Sequence, residues 1–181
     1  AATATDGQQA LTDSAYSWSL AVRHCPGGVC HTHGIQTWPG QRTGSFNAPD
    51  HEYPSHLLLT VTVTDNQGLS DSRTIQLDPR SVTVQFATSP SGIPLTVAGG
   101  EHVTPYSQTF IVGSRFNVAA PPRFESGERS WTFTGWSDGG AAVHQVLAPT
   151  AATVYTATYE PVTAPLTART KRSGLKLFVA G

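Results

Sequence analysis

Hydrophobic and polar residues alternate along much of this chain with a period of two, which marks strands that bury one face. Leu57, Leu59, Val61 and Val63 form one side of a run whose other side is Leu58, Thr60, Thr62 and Thr64. Asp65-Asn66-Gln67-Gly68 then predicts a turn, and Arg73 to Leu77 a returning strand with Ile75 and Leu77 inward. A second series runs through Val82, Val84 and Phe86 and resumes at Ile93, Leu95 and Val97. Thr109–Val112, Trp131–Trp136 and Thr153–Tyr159, each bounded by Gly or Pro clusters, predict further strands. Short strands spaced at about 8–12 residues, with no stretch of helical period, predict an all-β chain with hairpin connections.

Composition narrows the class. Threonine supplies 24 residues and lysine two, and the charged fraction of 13% is half the usual quarter. Such a Thr/Val-rich, Lys-poor chain suits half-buried pleated surfaces and excludes a coiled coil or helical bundle. No apolar run reaches the length of a membrane span. A net charge of −1 leaves no basic surplus for phosphates, so nucleic acid is not an expected partner. The absence of methionine suggests a processed chain or an excised piece, with no signal peptide at Ala1.

An internal repeat organises the rest. Ser91-Gly-Ile-Pro-Leu-Thr-Val-Ala-Gly99 recurs as Ser173-Gly-Leu-Lys-Leu-Phe-Val-Ala-Gly181, with six of nine positions identical. The spacing predicts a β domain over residues 1–80, a second over 81–161, and the start of a further repeat or a linker tail over 162–181. Cys25 and Cys30, in His24-Cys-Pro-Gly-Gly-Val-Cys-His31, suit a small disulfide loop in a secreted protein. The spacing also permits two thiolate metal ligands.

The segment from Leu57 to Leu77 closely resembles the last two strands of PKD domains, immunoglobulin-like sandwiches of secreted bacterial enzymes and surface proteins. Ala2-Thr-Ala-Thr-Asp-Gly7 and Ser17-Trp18-Ser19 look like earlier strands of the same module. The usual Trp-Asp-Phe-Gly-Asp-Gly turn is missing, and an insertion from His24 to His56 stands in its place. Phe133-Thr-Gly-Trp-Ser-Asp-Gly-Gly140 and Thr153-Val-Tyr-Thr-Ala-Thr-Tyr159 are similar to divergent bacterial B-repeats. The pairing resembles tails of secreted bacterial sugar-dehydrogenase-like and polysaccharide-degrading enzymes. It implies a PKD-like β-sandwich followed by a small β-rich domain, attached to a catalytic domain elsewhere in the parent chain.

Candidate chemistry concentrates in the insertion, which holds five of the seven histidines: His24, His31, His33, His51 and His56. His31 and His33 are two apart, so on a strand both imidazoles leave one face and can share an ion. His51 and His56 flank Glu52 in a Pro-bounded loop, where Asp50 could fix a ring tautomer. Such a donor set suits zinc or copper. The alternative is that these histidines are hydrogen-bonding residues of a loop-rich insertion. Neither a nucleophile elbow nor a phosphate-cradling loop is present, and no residue is assigned a catalytic role.

Aromatic residues offer a second route, because the apolar C–H face of a sugar stacks on exposed rings. Trp38 with Gln36 and Gln41, and Trp136 beside Asp138, are the candidate carbohydrate-binding residues. The sequence thus predicts a monomeric, non-catalytic accessory module of a secreted enzyme that binds polysaccharide or cell-surface glycan. Ligand-free spacer domains and a transition-metal module built on the histidines are the alternatives.

Overall fold

The structure, a computed structural model, describes residues 1–163. The stretch 164–181, with the second copy of the repeat, lies outside the described residues. The chain is all-β, as the alternation predicts. Among the described residues the only helical pieces are the 3-10 turns Asp13–Ala15 and Pro26–Gly28.

The first sheet contains β1 (Tyr16–His24), β2 (His31–Pro39), β3 (Ser55–Thr64) and β4 (Ser70–Leu77), antiparallel in the order β2-β1-β3-β4. Its register sets Tyr16 against Val63, Leu20 against Leu59 and Val22 against Leu57, so the apolar residues of β1 and β3 share a face. Tyr16, Leu20 and Val22 are buried, while the β3 residues are only half-buried. Irregular chain lies on this face: Ala4 N–H donates to the Tyr16 hydroxyl, and the Arg42 guanidinium sits 4.9 Å above the Tyr16 ring. Ile75, expected inward, is 45% exposed, because β4 is an edge strand. The predicted turn forms at Asp65, whose Oδ1 accepts N–H bonds from Gln67 and Leu69, both at 2.8 Å.

One irregularity decides which β2 side chains face the core side. Leu20 pairs with Gln36 and Ala21 with Gly34, so Ile35 is an extra residue, a β-bulge. The bulge resets the alternation, placing both His33 (opposite Val22) and Trp38 (opposite Trp18) on the face that carries Leu20.

Residues from Ser81 onward build two further sheets. The strands are β5 (Ser81–Ser89), β6 (Pro94–Val97), β7 (Gly100–Val103), β8 (Tyr106–Ile111), β9 (Arg115–Ala119), β10 (Arg123–Ser126), β11 (Arg129–Trp136), β12 (Val143–Leu147) and β13 (Thr153–Pro161). They pair as β10-β11-β13-β5-β8 and β12-β9-β6-β7, with β13 and β5 parallel. Phe86, Val84, Phe110 and Ala157 of one sheet and Leu95, Val97, Phe116 and Val118 of the other belong to one buried cluster, which draws only on residues after Ser81. Phe86 is fully buried and meets Phe110 and Phe116 edge to face, at 6.4 and 6.1 Å. The repeated Ser91–Gly99 segment contains β6 and the tight turn into β7. Ala98 and Gly99, at φ 49° and 86°, are the two central residues of a primed hairpin turn.

Candidate metal centre

The centre is built at the open end of the β1–β2 hairpin. His24 closes β1 and His31 opens β2, and the two are register partners; His33 lies two positions along, on the same face. Between them the chain turns through Gly27 and Gly28, both at positive φ, and Cys25 and Cys30 are joined in a disulfide. The sulfurs are therefore bonded to each other and are not thiolate ligands. The third segment is held by a bond from Cys25 N–H to the Pro54 carbonyl at 3.1 Å, which fixes the chain carrying His51 and Glu52 beside the hairpin end.

Four imidazoles and one carboxylate meet there. The His24 ring centroid lies 3.9 Å from that of His31, 5.0 Å from His33 and 4.4 Å from His51. One donor atom each of His24, His31 and His33 falls within a span of 4.8 Å, and the same holds for His24, His51 and Glu52. His24 is 7% exposed, whereas His31 and His33 are open to solvent. The His24 Nδ1 lies 2.6 Å from Glu52 Oε1, and its Nε2 lies 3.0 Å from His33 Nε2. An ionised carboxylate can only accept, so His24 donates from Nδ1, which leaves the Nε2 lone pair directed at His33. This is the arrangement in which a carboxylate orients a metal-ligating histidine and raises its basicity.

The electrostatics agree. Desolvation works to raise the Glu52 carboxyl, but its backbone N–H, the His24 bond and the charges of His51 and His24 hold it below its usual 4.5. His31 is pushed below 6.5 by desolvation and then by the neighbouring His24 and His33. Several imidazoles facing a single carboxylate cannot all be protonated together without repulsion. An ion that accepts their lone pairs removes that conflict.

Two expected members are elsewhere. His56 is the register partner of Arg23, one residue out of step with His24, so it points from the opposite face of the sheet. Asp50 is exposed, and the orienting carboxylate is Glu52. The sequence set Glu52 between His51 and His56 but gave no sign that it would reach back to His24.

The aromatic candidates do not assemble into one platform. Trp38 is half-buried, with its ring 6.2 Å from Phe46; a cavity of about 70 Å³ between Trp18, Trp38, Phe46 and Gln41 is well below the ~300 Å³ of ordinary ligand pockets. The Gln41 carbonyl accepts from Trp18 Nε1, and Gln36 is exposed. Trp136 is 5% exposed, a core residue whose Nε1 donates to the Ala142 carbonyl, and so offers no sugar platform. Asp138 is engaged by His144, 3.0 Å away. A cavity of about 850 Å³ between residues 1–7 and β3–β4 is lined by none of the histidines, so chemistry and not volume locates the site.

No family model matches the chain, and neither a curated protein nor a solved structure does.

Proposed function

We propose that this protein is a transition-metal-binding module, with zinc or copper held by His24 through Nε2 and by His31 and His33. The observation that carries the reading is the buried His24, clamped by Glu52 on one nitrogen and presenting the other to His33 at 3.0 Å. Two strands supply three imidazoles at one hairpin end, where the ladder fixes their backbones before any ion arrives. Borderline nitrogen donors select zinc or copper over magnesium or calcium, which prefer oxygen.

Three protein ligands leave a coordination position open, and the exposure of His31 and His33 puts that position toward solvent. The ion in such a site can take an exogenous ligand, which distinguishes it from a closed structural centre. The setting we infer is an accessory module of a secreted protein, supported by the PKD-like residues of β3 and β4 and by the disulfide.

Equilibrium dialysis against zinc tests the reading. Wild-type protein should retain the ion after desalting, and the His31→Ala/His33→Ala double variant should not. Equal, negligible retention by both would reject it.

A further inference from the structure

We propose that His24 bridges two metal ions, the second being held on its Nδ1 side by His51 and Glu52. The proposal rests on the three-histidine reading and extends it to the opposite nitrogen of the same ring.

Both His24 nitrogens face a donor set. The Nε2 side meets His33 and His31, and the Nδ1 side meets Glu52 Oε1 at 2.6 Å, with His51 in the same group. Ligand atoms bound at about 2.0–2.2 Å to one ion stand roughly 3 Å from each other. The separations here are of that size: 3.0 Å for His24 to His33, 2.6 Å for His24 to Glu52, and 2.8 Å for His51 Nδ1 to Glu52 Oε2.

A second observation separates this from simple orientation of His24 by Glu52. His51 Nδ1 is shielded from solvent and makes no hydrogen bond of acceptable geometry, although Glu52 Oε2 lies 2.8 Å away. A nitrogen that close to a carboxylate oxygen, with its N–H poorly aligned on it, is also spaced to share a cation with that oxygen. A cation on the lone pairs of His51 Nδ1 and Glu52 would satisfy both groups without needing that alignment.

The two positions differ in charge. Bound alone, the first ion meets only neutral imidazoles. The second replaces the His24 Nδ1 proton, which leaves to the solvent, and so meets an imidazolate and a carboxylate. The imidazolate is shared by both ions and the carboxylate belongs to the second alone, and the ring sets the two ions about 6 Å apart from its own width and two bonds of ordinary length.

The test is the stoichiometry of the full chain loaded with excess zinc, desalted and analysed for metal. Two ions per wild-type chain are expected, falling to one in His51→Ala, with wild-type circular dichroism for the variant. Loading with copper(II) should give an electron paramagnetic resonance intensity well below the bound copper, because spins coupled through one imidazolate pair up. One ion per wild-type chain, unchanged in His51→Ala, would overturn the bridge while leaving the three-histidine site intact. No retained ion would overturn both.

Discussion

His24 is buried at a strand end where an isolated imidazole would be a poor choice, and both of its nitrogens are engaged. At the three-histidine site Glu52 therefore acts through His24: it sets which nitrogen carries the proton until a second ion replaces it. Glu52→Gln keeps an acceptor but loses the charge, and should weaken zinc binding about 10- to 100-fold with little change in circular dichroism, as measured by competition with a chromophoric chelator. Ala98 lies in the turn between β6 and β7. It occupies the left-handed region at φ 49°, where an alanine Cβ costs roughly 1–2 kcal/mol and asparagine less. Ala98→Asn should raise stability by about 0.5–1 kcal/mol in denaturant melts. The His31/His33 pair was legible in the sequence, because spacing by two on a strand fixes a shared face. The role of Glu52 was not, since it depends on how residues 49–54, which have no periodic pattern, lie against Cys25.

The β1–β2 hairpin is the element that matters most. Its disulfide closes the turn immediately beyond the His24–His31 pair, so it holds two ligands at the separation the ladder dictates. Closing so short a loop contributes on the order of 2 kcal/mol in the chain-entropy account. Reduction, or Cys25→Ser/Cys30→Ser, should therefore lower zinc affinity at least tenfold while leaving the transition of the β5–β13 core within a few degrees of wild type; the pair of measurements is a zinc titration and a thermal melt. The β3–β4 hairpin followed from simple alternation, and the disulfide was one of the two readings that the Cys25/Cys30 spacing allowed. Two things escaped. The Ile35 bulge has no signature in the run from His31 to Pro39, where exposed residues of mixed type show no clean period. By simple alternation Trp136 would share the face of Thr132 and Thr134, but pairing with β13 shifts register between Phe133 and Gly135, and that slip turns the ring into the core.

At the scale of the whole molecule, the sheets fall on either side of residue 80, and the largest buried cluster lies between Val82 and Tyr159. A fragment of residues 81–163 should melt cooperatively by itself; a broad, non-cooperative transition would show that it needs the first sheet. Its acid stability has a named contributor. Desolvation tends to raise Asp138, but the Gly140 N–H, the His144 bond and the His144 charge hold it below 3.8. A carboxyl with a depressed folded value stabilises fully above about 3.8 and loses that contribution as pH falls through its lower folded value. The melting temperature of wild type should thus exceed that of Asp138→Asn near neutrality, and the gap should narrow below pH 4. The alternation that defined the strands could not show this contact, because Asp138 and His144 meet across a loop.

Imidazoles converging at the β1–β2 hairpin end are proposed to hold a metal ion. X-ray absorption at the zinc edge of the zinc-loaded, desalted protein tests it most directly. The expected result is a first shell of nitrogen and oxygen at about 2.0 Å, with the outer-shell scattering of at least three imidazoles and no sulfur. A sulfur shell near 2.3 Å, or a shell of oxygen atoms without imidazole scattering, would contradict it.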